Sequence, residues 1–248
     1  MKLRITQACV VLGVSVTGAC SDAPGPEDSL AEALLTRDVA MVAADAALED
    51  LADMGQLMVG GVLPAPPEDG TGSFTRTVTF YDAAGIEQPS HDPVTTASIH
   101  MVMDGTREFS RDSWTASGTR ERDLTITGLE GEEISRTVNG TGSGTLIRSS
   151  HADTDGARTY DMFTNSVIEN VVHPVPRTDE SWPLSGTITR EITVTVTDGP
   201  DGDVTRSRTV VITFDGTNWA HMAVVGGDSF EVDLSTRSGR HPFRKRGQ

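Results

Sequence analysis

Three arginines are the side chains in this sequence whose placement could do chemistry. From Thr187 to Thr197 the odd positions carry Thr187, Thr189, Glu191, Thr193, Thr195 and Thr197, and the even ones Ile188, Arg190, Ile192, Val194 and Val196. Successive strand side chains point to opposite faces, so Arg190 falls on the apolar face. Arg206 and Arg208 share parity with Val210 and Ile212 in the next run. A charge on a core face is costly unless it is paired or reaches the rim. The hairpin joining the two runs would bring Arg190 near Arg206 or Arg208, beside an acid such as Glu191 or Asp203. Such a cluster is either a set of rim arginines reaching for water or an anion-binding mouth.

Other chemistry is hard to find. The sequence contains no G-x-S-x-G, H-E-x-x-H, P-loop or C-x-x-C. Gly140, Gly142 and Gly144 form a glycine-rich run without the third glycine of a dinucleotide fingerprint. The six histidines (His91, His100, His151, His173, His221 and His241) never fall at helical ligand spacing, which argues against zinc even if folding brought His100 and His221 together. Asp153 to Gly156 and Asp198 to Asp203 look like fragments of calcium loops, but neither has a closing glutamate, and Asp-Gly is what β-turns prefer. No catalytic, cofactor-binding or metal-binding residue is predicted. The chain reads as non-enzymatic, and a hydrolase would need an Asp/His/Ser constellation assembled by the fold.

The amino terminus carries a different signal. Lys2 and Arg4 precede a short apolar core, Ala8 to Val16, which is too short to span a bilayer. Thr17-Gly18-Ala19-Cys20 closes it with small residues and a cysteine. This resembles the lipobox of bacterial lipoproteins, although Thr17 stands where that family more often has leucine. The resemblance covers about twenty residues. It implies removal of residues 1–19, lipid attachment at Cys20, and a multiply acylated membrane anchor. Ser21 is compatible with sorting to the outer membrane. The expected location is therefore the cell envelope, on its periplasmic or surface face. The two cysteines, Cys9 and Cys20, agree with this: cleavage would remove the first and acylation consume the second.

Composition narrows the partners. The chain has 248 residues and a formal net charge of −16. Loss of Lys2 and Arg4 with the leader would give 18 − 36 = −18. So acidic a surface repels phosphate backbones, which argues against nucleic acid. Aromatic residues make up only 5%, too few for stacking platforms. Lys245 would be the one remaining lysine, which excludes lysine chemistry inside the domain.

The elements that must position these side chains are one helix and many strands. Residues 20–28 read as a lipidated tether. Ser29 and Glu32 form a capping box that opens a helix over 29–58, with Leu30, Leu34, Met41, Ala44, Leu48, Leu51 and Met58 on its apolar face. Glu32, Asp38, Asp45 and Glu49 lie mostly off that face. Residues 60–72 read as a Pro/Gly-rich linker, and 73–236 as sheet. Expected strands are Phe74–Tyr81, Ala97–Met103 turned by Asp104-Gly105, Arg107–Ser117, Arg120–Thr127, and Glu132–Val138 turned at Asn139-Gly140. The glycines that follow suggest a bulge or bend. Ala157–Val172 is a long strand, and His173–Pro183 is either a crossing loop or a subdomain boundary. A meander closes the domain: Thr187–Thr197, Val204–Phe214, a two-residue Asp215-Gly216 hairpin, Asn218–Val225 and a last strand around Phe230 to Leu234. Residues 237–248 read as a basic, flexible tail.

The fold expected is mainly β: a large, twisted antiparallel sheet of roughly nine to eleven strands, a meander or open barrel, with the amphipathic helix on its concave side. In outline this resembles periplasmic lipid-carrier lipoproteins, a likeness of shape that no motif carries. The function expected is structural or binding, with a membrane and an envelope protein as partners. The alternative is a carrier of lipid or another apolar ligand inside the curled sheet.

Overall fold

The computed structural model describes residues 35–37, 39–40, 42–44, 46–51, 54, 70–111, 114–150, 158–178, 180–197, 203–235 and 243–245. Cys20, the leader, the tether, residues 60–69, Asp153–Gly156 and most of the Asp198–Asp203 turn lie outside them. The described residues between 35 and 51 are helical, as is Met54; this is α1. Eleven strands follow: β1 (Gly70–Asp82), β2 (Glu87–Gln88), β3 (Thr96–Arg111), β4 (Trp114–Thr127), β5 (Ser135–Ser150), β6 (Arg158–Pro174), β7 (Ser185–Thr197), β8 (Val204–Thr213), β9 (Trp219–Val224), β10 (Ser229–Asp233) and β11 (Phe243–Lys245).

They form one antiparallel sheet in the order β11-β10-β9-β8-β7-β6-β5-β4-β3-β1-β2. The two ends of that order do not pair, so the sheet is open rather than a closed barrel. Its edge strands have two and three residues, and β2 pairs with only Phe80 and Tyr81 of β1. Among the described residues the protein is thus mainly β with one helix, as the alternation predicts.

Alternation decides which face is covered. Ile188, Arg190, Ile192 and Val194 of β7 are buried, and so are Ala220, Met222 and Val224 of β9 and Phe230 and Val232 of β10. Intervening residues form the outer face. There, hydroxyls pair across strands: Thr193 with Ser207 at 3.0 Å, Thr195 with Thr205 at 2.9 Å, and Thr119 with Thr145 at 2.9 Å. His100 and Asp123 meet on the same face at 2.7 Å. Threonine keeps β propensity there while satisfying its hydroxyl.

The helix lies against the other face, and its burial shows how. Leu35, Val39, Val42, Ala43, Ala44, Ala47, Leu51 and Met54 are all buried. At 100° per residue these positions span an arc of about 200°. That is wider than the stripe of about 100° that defines an amphipathic surface helix, so α1 is covered on more than one side. The buried arc is turned toward the alanines rather than centred on Leu48, which is only partly buried. Leu35, Val42 and Leu51 lie toward the flanks of the arc, and Met54 close to its middle. Ala43 and Ala47, at 0% and 1% exposure, sit near its middle and let the backbone approach the sheet.

Several local expectations change. Asp104-Gly105 is not a turn, because β3 runs straight through it and Gly105 pairs with both Phe74 and Arg120. The Phe74 ring occupies the space where a Cβ would stand on Gly105. Arg107–Arg111 therefore continue β3, and β4 starts afresh at Trp114. Asn139-Gly140 also lies within a strand, at a register shift between β5 and β6, which is the bulge the glycines suggest. Asp215-Gly216 belongs to a longer loop, since Thr213 pairs with His221. There the Asp215 carboxylate accepts from the backbone N–H and the hydroxyl of Thr217. The proline-rich segment after β6 joins two directly paired strands, so it is a connecting loop and not a boundary. Residues 243–245 pair with β10, so the basic tail is not wholly free.

Candidate functional site

One row of residues across the sheet builds the site. Arg122 on β4 pairs with Gly142 on β5, Gly142 with Ser166 on β6, and Ser166 with Arg190 on β7. Three inter-strand steps separate the two arginines by roughly 14 Å. Between them the row holds only glycine and serine. A Cβ on Gly142 would lie 2.6 Å from Nη1 of Arg122, so the side chain of Arg122 lies across this glycine. Ser166 folds its hydroxyl back onto the Gly142 carbonyl at 3.3 Å. The small residues leave a trough in which both guanidiniums converge.

They converge on Asp50 of α1. Arg122 donates from Nε to Oδ1 at 2.6 Å, and its Nη2 lies 2.6 Å from the same oxygen. Arg190 donates from Nη2 to Oδ2 at 2.5 Å. Arg122 also donates from Nη1 to the carbonyls of Glu121 and Ser143 at 2.7 and 3.2 Å. Asp50 and Arg190 are each 1% exposed and Arg122 4%. Asp50 stands within about 20° of the middle of the helix's buried arc, which aims its carboxylate straight at the sheet. One row further, Arg120 pairs with Gly144. Its Nη2 lies 3.8 Å from Asp50 and its Nη1 3.6 Å from Glu49.

The electrostatics follow from this crowding. Burial alone would raise the Asp50 carboxyl, but the guanidiniums of Arg122, Arg190 and Arg120 outweigh it and hold the group below the ordinary carboxylate value. Burial pushes Arg120 down to about 10, opposed by Asp50 and aided by the other two arginines. Burial likewise lowers Arg190. At about 10, Arg120 stays cationic at neutral pH. A small cleft of about 60 Å³ opens beside this network, between α1 (Val42, Ala46, Glu49) and β4–β7, and Arg148 joins the other three arginines in lining it. Fixed positive charge of this kind holds anions and orients a helix; it does not shuttle protons near neutral pH.

The three arginines singled out in sequence separate here. Arg190 is buried and bound to Asp50. Arg206 and Arg208 lie further along β8 on the same side, Arg206 exposed and Arg208 half-buried. Each donates to the carbonyl just before it, Thr205 at 3.1 Å and Ser207 at 2.9 Å. The partner that matters for Arg190 is neither Glu191 nor Asp203 but a helix residue 140 positions away. Asp50, Arg120 and Arg122 are the residues the sequence reading missed. The signal for the arginines was present, since Arg120 and Arg122 share parity with the buried Leu124 and Ile126. Elsewhere, His221 sits 3.5 Å from Asp215, on β9, six strands from His100 in chain order. Among the described residues no three His, Cys, Asp or Glu side chains gather to hold a metal.

No family model, curated protein or solved structure matches this chain.

Proposed function

We propose that this chain is a bacterial envelope lipoprotein, anchored through Cys20, whose helix-in-sheet domain has a non-enzymatic binding role. The anchor rests on Lys2 and Arg4, the Ala8–Val16 core and the Thr17-Gly18-Ala19-Cys20 ending. Among the described residues no helix is long and apolar enough to cross a membrane. The observation that carries the binding role is the arginine-lined cleft beside α1, which offers permanent positive charge. It favours a polar partner over an apolar cargo. The concave side of the sheet, where a lipid would lie, is filled by Val39, Ala43, Ala47 and Met54 of α1.

The anchor is tested by Cys20→Ser in the native host. The substituted protein is expected to leave the membrane fraction and to lose labelling by radioactive fatty acid. Retention in the membrane with no unprocessed precursor would refute the lipoprotein reading.

A further inference from the structure

We propose that the outer edge of β1 is a dimer interface, where a second copy of this chain adds its own β1 antiparallel to the first. The inference rests on the sheet alone, not on the Cys20 anchor or the arginine cleft. β1 pairs with β3 along its whole length, from Gly70 to Asp82. On its other side β2 reaches only Phe80 and Tyr81. On that same side the N–H of Asp82 donates to the carbonyl of Ile86 at 3.0 Å. Antiparallel strands direct the backbone groups of alternate residues to alternate sides. Gly72, Phe74 and Val78 share the parity of Asp82, so their N–H and C=O groups turn away from β3. Among the described residues no strand meets these groups. A row of unmet ladder groups is a template for another strand.

The edge is its own complement. A two-fold axis perpendicular to the sheet at Thr75 pairs Thr71 with Thr79, Ser73 with Thr77, and Thr75 with its own copy. Every outer-face pair is then hydroxyl against hydroxyl. The sheet already uses that pairing inside the chain: Thr195 with Thr205 at 2.9 Å, Thr119 with Thr145 at 2.9 Å, and Ser73 with Thr106 at 3.1 Å. On the inner face the same register pairs Gly72 with Val78 and sets Arg76 opposite Phe74. Moving the axis to Arg76 would put two guanidiniums face to face. Charge agrees with the choice of partner. The chain carries a net −16, yet Gly70 to Tyr81 contains no aspartate or glutamate, so two acidic chains meet here without setting carboxylate against carboxylate. The axis leaves both hydroxylated faces on one side and both helices on the other, in one continuous antiparallel sheet. Such an interface is isologous and closed.

The test is a dilution series of the detergent-solubilised full chain at pH 7.5, read by light scattering with the detergent contribution subtracted. A dimer with one dissociation constant is expected. Thr75→Lys should raise that constant by about fivefold, because it sets two ammonium groups directly opposite on the axis. Within one chain the same substitution faces Asp104, the β3 partner of Thr75, and so does not work against the fold. Thr75→Cys supplies a positive readout. On the axis Thr75 forms a pair without ladder hydrogen bonds, with Cα atoms about 4.5 Å apart, within disulfide reach. Mild oxidation should link most chains carrying Thr75→Cys. Thr141→Cys, exposed in the middle of the same face, should link no more than the unsubstituted chain. A monomer at every concentration, a dissociation constant unchanged by Thr75→Lys, or equal cross-linking by Thr75→Cys and Thr141→Cys would each overturn the proposal.

Discussion

Replacing Asp50 by alanine is expected to lower folding stability by about 3–5 kcal/mol, the usual cost of breaking a buried ion pair from one side. Most of that cost comes from the buried positive charges that the substitution leaves uncompensated. Arg122 and Arg190 would keep their buried positions but be deprived of the carboxylate at 2.5–2.6 Å that neutralises both. Arg120 would lose the carboxylate at 3.8 Å and keep Glu49 at 3.6 Å. The same network sets a pH rule. Asp50 titrates below its ordinary value in the folded protein, so its contribution is fully present above the unfolded carboxyl's titration, near pH 4. It is lost only as pH falls through the lower folded value. Urea denaturation at pH 7 checks the substitution. A cost below about 1 kcal/mol, the level of an exposed pair, would mean the arginines find water or other partners when Asp50 is gone.

A second large effect belongs to His173, at the end of β6. Its ring is 1% exposed, and Nε2 has no hydrogen-bond partner among the described residues. Burial, with some repulsion from Arg177, pushes it down to about 4 from an ordinary 6.5. The unfolded chain therefore binds a proton between those values and the folded chain does not. Stability is fully present above about pH 6.5 and is lost as pH falls toward 4, by about 3 kcal/mol if the whole shift is realised. His173→Phe should remove that share of the acid sensitivity. The check is the urea midpoint of both proteins between pH 7 and 4. Parallel curves would show that His173 takes up its proton equally well in the folded and unfolded chains.

The strands were legible because a half-covered sheet imposes period two on its side chains. β7 is the clearest case: Ile188, Ile192 and Val194 read as core, and all three are buried. Arg190 was legible as an anomaly that needed a partner, but not who the partner was. Sequence proximity pointed to Glu191 and Asp203, while burial selected an acid on the helix. Asp50 was hidden by its neighbours. Asp45 and Glu49 were placed off the apolar face, and Asp50 beside them was not singled out. The apolar stripe drawn through Leu48 and Leu51 caught one side of the face that packs, Ala44 and Leu51, but not its middle, where Ala43, Ala47, Asp50 and Met54 lie. Turn signals failed for a related reason. Asp104-Gly105 and Asn139-Gly140 mark glycines demanded by a close neighbour or a register shift, and both lie inside strands, with β3–β4 and β4–β5 pairing continuous across them. The trough over Gly142 and Ser166 is visible only once registers are known, because its four members come from four strands.

The central claim is that Asp50 fixes α1 to the sheet through the arginine row. A double-mutant cycle measures it most directly, using Asp50→Ala, Arg190→Met and the pair, each by urea denaturation at pH 7. The account predicts that Arg190→Met costs far less once Asp50 is gone, with a coupling energy of about 2–3 kcal/mol. A coupling below about 0.5 kcal/mol, the range of independent sites, would show that α1 is held by its apolar packing alone.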